Sequence, residues 1–170
     1  MQNRLVVSLA FLAAFALAGR ALAGTAVAIA DMKGTNEVPS IITGASGKFT
    51  ATITANQIKY KFSFSGLTGD SLFAHIHVGE RHTNGEVTVF LCNNTATGPA
   101  PQPCPHGSGT IAGTITSADV IGPAGQGVDA AEFAAVLAAI QAGATYANIH
   151  TSVFPTGEIR GQLLQIGRVN

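Results

Sequence analysis

Apolar and polar positions alternate with period two along most of the chain. Val27 and Ile29 mark one run, and Phe49, Ala51 and Ile53 a second. In a third, Ile58, Tyr60, Phe62 and Phe64 alternate with Lys59, Lys61, Ser63 and Ser65. Period two is the mark of a strand with one buried face. Further runs of strand character cover residues 72–78, 86–91, 109–116, 145–151 and 157–165. Gly, Asn, Asp and Pro separate most of these runs, and Ala55-Asn56-Gln57 reads as a tight hairpin turn. Eight short strands in one domain predict a mainly β fold, a two-layer sandwich or a barrel.

One segment has a different period. Phe133, Val136, Leu137 and Ile140 recur at i, i+3, i+4 and i+7, one stripe of a helix. Asp129 with Glu132 three residues on approaches a capping box, and Gly143 stands where a left-handed residue closes a helix. The pattern predicts a helix over residues 130–142.

The N-terminus changes the picture of where this domain works. Arg4 precedes an apolar run of 14 residues, Leu5 to Ala18, and Ala21-Leu22-Ala23 follows before Gly24. A positive start, a short apolar stretch and an A-x-A site are the parts of a cleavable export signal. The run is shorter than the roughly 20 residues that span a bilayer. Residues 1–23 are therefore expected to be removed, leaving residues 24–170 as a single secreted or periplasmic domain with no membrane span. Loss of Arg4 and Arg20 leaves seven basic residues against nine acidic ones. There is no basic patch, which argues against nucleic-acid binding.

Cys92 and Cys104 are close in sequence, and in an oxidising compartment such a pair is expected to form a disulfide. The alternative is a metal site with His106, on a C-x11-C-x-H spacing that is not a standard ligand pattern. Asn93-Asn94-Thr95 is an N-glycosylation sequon.

The histidines carry the chemistry. In Ala74-His75-Ile76-His77-Val78, alternation sends Ala74, Ile76 and Val78 to the core and both imidazoles to the opposite face. In Tyr146-Ala147-Asn148-Ile149-His150, the same parity puts His150 and Asn148 opposite the apolar face. In the last strand Ile159 and Leu163 point inward, while Glu158, Arg160 and Gln162 point out. If these strands are neighbours, His75, His77 and His150 converge on one polar surface. Three imidazoles suit copper or zinc. His82 is a candidate fourth ligand, and Asn148, Glu158 and Arg160 are candidate groups behind the ligands. No G-x-S-x-G, H-E-x-x-H or P-loop occurs.

The ordered blocks of this chain resemble the CHRD domain family. The carriers are Gly34-Thr35-Asn36-Glu37-Val38-Pro39, Gly44-Ala45-Ser46-Gly47, Ala74-His75-Ile76-His77, Asn84-Gly85-Glu86-Val87 and Leu91-Cys92. They continue with Ala142-Gly143-Ala144-Thr145-Tyr146-Ala147-Asn148-Ile149-His150-Thr151 and Pro155-Thr156-Gly157-Glu158-Ile159-Arg160-Gly161-Gln162-Leu163. The resemblance implies an immunoglobulin-like or related antiparallel β-sandwich, with one short helix here. In chordin such domains belong to an extracellular protein that binds growth factors. The strand-borne His-x-His is also similar to that of Cu/Zn superoxide dismutases, but the chain lacks the histidines of a bridged two-metal site and an evident Asp ligand. The expected function is a secreted, non-catalytic domain holding copper or zinc, copper favoured, through His75, His77 and His150. The alternative is a structural or adhesive module that binds an extracellular protein or glycan without metal. A copper redox enzyme is a third reading, for which the sequence shows neither an open coordination position nor a substrate pocket.

Overall fold

The alternating segments form nine strands in the computed structural model, which describes residues 24–169; the expected export signal, residues 1–23, lies outside them. The strands are β1 (Thr25–Lys33), β2 (Ser46–Ile53), β3 (Ile58–Ser65), β4 (Ser71–Val78) and β5 (Val87–Asn93), then β6 (Gly109–Ile115), β7 (Thr145–Thr151), β8 (Ile159–Gln162) and β9 (Leu164–Val169). β2 and β3 make the expected hairpin, with Ile53 opposite Ile58 and the Thr54 N–H donating to the Gln57 carbonyl at 2.9 Å. The segment expected as one last strand divides at Leu163. That residue turns its N–H to the Thr145 carbonyl at 2.9 Å, so β8 pairs with β7 and β9 with β1.

All nine strands belong to one antiparallel sheet in the order β5-β4-β7-β8-β1-β2-β3-β6, with β9 also on β1. The strand pattern left a two-layer sandwich or a barrel open. The pairing of Lys33 with Arg160 joins β1 to β8 and makes the two halves continuous. The sheet curves until its end strands meet almost as a barrel. The Gln102 side chain bridges the remaining seam, donating to the Leu91 carbonyl of β5 at 3.1 Å and to the Ala112 carbonyl of β6 at 3.2 Å. Tyr60 adds a bond to the same Leu91 carbonyl at 3.0 Å. Cys92 and Cys104 are joined in a disulfide, which tethers the segment carrying Gln102.

The interior holds the apolar half of each alternation: Phe49, Ile58, Phe62, Ile76, Leu91, Ile115, Ile149 and Ile159 are all buried. Each contributes about 2 kcal/mol by leaving water. The helix α1 (Phe133–Gln141) adds Phe133, Val136, Leu137 and Ile140 to the same core. It begins three residues later than the pattern predicts, because Ala131 has φ 64°, a left-handed conformation that cannot continue into a helix. Half of the capping box forms nonetheless: the Asp129 N–H donates to the Glu132 carboxylate at 3.0 Å. Gly143, at φ 69°, closes the other end as expected. Among the described residues, no helix is long and apolar enough to cross a membrane.

Candidate metal centre

The strands β4, β7 and β8 lie side by side, and their register sets the site. His75 is opposite Asn148, His77 opposite Tyr146 and Phe73 opposite His150; Asn148 and Tyr146 are in turn opposite Arg160 and Gln162 of β8. Ala74, Ile76, Ala147 and Ile149 fill the core side, so the alternation read from the sequence is the one that forms. The polar face is not a surface, however. His75 is 4 % exposed, His77 and His150 7 % each, and Arg160 2 %.

Three segments roof it. Residues 79–86 are braced by Arg160, whose guanidinium donates to Asn84 Oδ1 at 3.2 Å, to the Glu80 carbonyl at 3.2 Å and to the Thr83 carbonyl. Residues 34–39 follow β1; Asn36 donates to the Arg160 carbonyl at 2.9 Å, and Asn84 donates to the Val38 carbonyl at 3.2 Å. Residues 152–157 connect β7 to β8. Gly157 (φ 130°) is required there, since a Cβ would lie 2.5 Å from the Glu37 carboxyl. Gly85 is required for the same kind of reason, its missing Cβ falling 1.6 Å from the Val78 carbonyl oxygen.

Under this roof, His75, His77 and His150 each offer a ring nitrogen, all within 4.8 Å of one another. The His77 Nδ1–H donates to the Gly85 carbonyl at 3.0 Å, and the His150 Nδ1–H donates to the Pro155 carbonyl at 3.0 Å. Backbone acceptors of this kind fix the tautomer and leave Nε2 with its lone pair, as in metal-bound imidazoles. His150 Nε2 and both nitrogens of His75 are buried with no hydrogen-bond partner. Buried polar atoms are normally paired, so three orphaned nitrogens in one cluster call for a ligand. His77 Nε2 lies 3.0 Å from Asn148 Oδ1, so this ring sits between two oxygen acceptors, and a neutral ring can donate to only one of them.

Burial keeps the cluster uncharged. Desolvation pushes His75 down to about 2, with the neighbouring His150 and His77 adding to it. Desolvation likewise takes His77 to about 4 against the opposing pull of the Gly85 and Asn148 hydrogen bonds, and His150 to about 4 against that of Pro155. Neutral imidazole is the form that binds metal. The walls are aromatic. Phe73 stacks on His75 (4.8 Å between centroids) and tilts against His150 (4.6 Å), and Phe90 meets His75 edge-on at 4.2 Å.

The other expected site residues are placed as follows. Asn148 does support a histidine. Arg160 acts one layer back, 3.3 Å from the centroid of the Tyr146 ring that itself stacks on His77. Glu158 turns away from the histidines: its carboxyl accepts from Thr43 Oγ1 (3.0 Å), the Thr68 N–H and Oγ1 (2.8 Å each) and Thr151 Oγ1 (2.8 Å), tying two loops to β7. His82 is not in the histidine group; it is exposed in the roof, at φ 62°, beside a small cavity it lines with Asn36, Arg81, Arg160 and Gln162. The disulfide removes the cysteines as ligands, and His106 instead sits at the surface 3.5 Å from Asp70.

Glu37, Phe73, Phe90 and Tyr146 were not read from the sequence as parts of the site. Phe73 and Tyr146 share the histidines' parity and were legible on that ground. Glu37 gave less warning. It is buried, faces the Asn148 amide, and has one carboxyl oxygen without a partner. Burial pushes its carboxyl up to about 7, opposed by the Arg160 charge and the Asn148 hydrogen bond.

No curated protein and no solved structure matches the chain. A family model does, the CHRD domain, over residues 28–163. That span takes in every strand of the histidine face together with its three roofing segments, and the chain belongs to the CHRD domain family.

Proposed function

We propose that the chain is exported, cleaved after Ala23, and that residues 24–170 act outside the cytoplasm as a single, non-catalytic domain binding one copper or zinc ion through His75, His77 and His150. One observation carries this reading: three neutral, buried imidazoles bring one nitrogen each to a common region, and those of His75 and His150 have no protein partner. Atoms no more than 4.8 Å apart lie within about 2.8 Å of a common centre, and a small inward shift of the rings reaches metal–nitrogen bonds of about 2.0–2.1 Å. The role is sequestration or delivery of the ion. The disulfide and the family both fit an extracellular setting. We also read the curved sheet as a flattened relative of the immunoglobulin-like and Cu/Zn-dismutase-like sandwiches, its halves joined through β8 and β1.

Titration of residues 24–170 with copper in both oxidation states and with Zn(II) tests the binding. The wild type should take up one ion per chain and the His75→Ala/His77→Ala variant none. Equal, weak, non-stoichiometric uptake by both would refute it.

A second reading rests on His77, both of whose nitrogens have protein partners. In it the cluster only holds the roofing loops, and the domain is a structural or adhesive module that binds an extracellular protein or glycan. Metal-free protein that retains such a partner from secreted fractions, with wild-type affinity in the histidine variant, would favour this second reading.

A further inference from the structure

We propose that the three-histidine centre selects a monovalent cuprous ion over Zn(II) and Cu(II). The inference rests on the metal-binding reading above and concerns the charge and coordination of the ion. Imidazole donors by themselves admit both zinc and copper, so the surroundings decide.

Charge is the first consideration. All three ligands are neutral, and no carboxylate or thiolate belongs to the group. Both cysteines are spent in the disulfide. Glu158 is occupied by Thr43, Thr68 and Thr151. Glu37 reaches the cluster only through the Asn148 amide. A cation stands behind His77: Arg160 lies over Tyr146, and Tyr146 lies over His77. The remaining walls are the rings of Phe73 and Phe90. The cost of moving an ion out of water rises with the square of its charge, so a dication costs about four times as much as a monocation in such a place. Nothing in the walls offsets that difference.

Coordination number is the second. Zn(II) is almost always four-coordinate, and Cu(II) prefers a tetragonal arrangement with further ligands. A cuprous ion has a filled d shell and accepts three ligands. The orphaned nitrogens of His75 and His150 are sealed from solvent, and Phe73 touches both rings. Bulk water is therefore not at hand to supply the fourth ligand that Zn(II) needs.

The test is a set of three competition titrations of wild-type residues 24–170: Cu(I) held by bicinchoninate under anaerobic conditions, and Zn(II) and Cu(II) against chelators of known affinity. One Cu(I) per chain is expected, bound at least about a thousandfold more tightly than Zn(II) or Cu(II). A Phe90→Asp variant, at a partly exposed position, supplies the missing negative charge beside His75 and should narrow that ratio at least about tenfold. If Zn(II) or Cu(II) binds stoichiometrically as tightly as Cu(I), the selectivity is overturned and the metal site stands. If Phe90→Asp folds and leaves the ratio unchanged, the charge argument fails. If none of the three ions binds one per chain, the metal reading itself falls.

Discussion

The His77 imidazole lies parallel to the Tyr146 phenol, 4.7 Å between centroids and 3° between planes. Both side chains also bond to Gly85: His77 through Nδ1 at 3.0 Å, and the Tyr146 hydroxyl to the Gly85 carbonyl at 3.3 Å and from the Gly85 N–H at 3.2 Å. One ring face and one backbone carbonyl thus orient the imidazole. Tyr146→Phe keeps the stack and should cost about 1 kcal/mol in a urea melt, the value of a hydrogen bond. Tyr146→Ala removes the stack, and should cost about 3–5 kcal/mol while weakening metal binding roughly 10- to 100-fold. Equal effects of the two substitutions on metal affinity would show that the ring does not hold His77.

The metal-free domain should lose stability as the medium is acidified. An unfolded chain protonates its histidines near pH 6.5, whereas the folded state resists until about pH 4 at His77 and His150 and about 2 at His75. Between pH 6.5 and 4 the unfolded state therefore binds more protons, and the stability present above pH 6.5 is lost as pH falls. Glu37 acts in the opposite sense. Folded, it keeps its proton up to about pH 7, against 4.5 for the free group, so its contribution is present below pH 4.5 and lost as pH rises to 7. Three histidines against one glutamate leave a net slope of about 2–3 kcal/mol per pH unit near pH 5.5. Urea midpoints at pH 7.5, 6.0 and 5.0 measure it; a flat profile would contradict a buried neutral cluster.

The barrel seam depends on a tethered segment. Reduction of the disulfide, or Cys92→Ala with Cys104→Ala, should cost about 3 kcal/mol, and Gln102→Ala should cost about 1–2 kcal/mol by freeing the Leu91 and Ala112 carbonyls. Amide exchange should rise first in β5 and β6. Unchanged midpoints under reductant would show that the seam closes without the tether.

The sequon at Asn93 should remain bare in the folded protein. The residue is 5 % exposed, its amide donates to the Thr97 and Pro99 carbonyls at 2.7 and 3.1 Å, and its Oδ1 accepts from the Thr95 N–H and hydroxyl at 2.8 Å each. A glycan on that nitrogen breaks the network. Intact mass of protein secreted from a glycosylating host should show no sugar at Asn93; a folded, glycosylated form would contradict the packing.

The candidate site was legible wherever it depended on strand parity alone. His75, His77, Asn148, His150 and Arg160 share a face because residues two apart must, and one sequence suffices to see it. What covers that face was not legible. The roof is made by loop residues such as Glu37, Asn84 and Pro155, which have no periodic signature. Glu158 misled for the same reason. Its parity is right, but Thr43 and Thr68 of two distant loops and Thr151 of β7 claim its carboxyl. The expectation of export pointed to the disulfide, which forms. The strand alternation left open whether β1 and β8 would pair, and that pairing decides between two layers and one nearly closed sheet. The helix start was lost to a single backbone angle at Ala131, where alanine offers no local cue.

The most direct measurement is the location of the ion in a crystal of copper-loaded residues 24–170, by anomalous scattering at the copper edge. The expected result is a single ion between His75, His77 and His150, with three imidazole nitrogens at about 2.0 Å. Copper at His82 or His106 alone, or a histidine cluster that stays empty in protein grown with excess copper, would contradict the account.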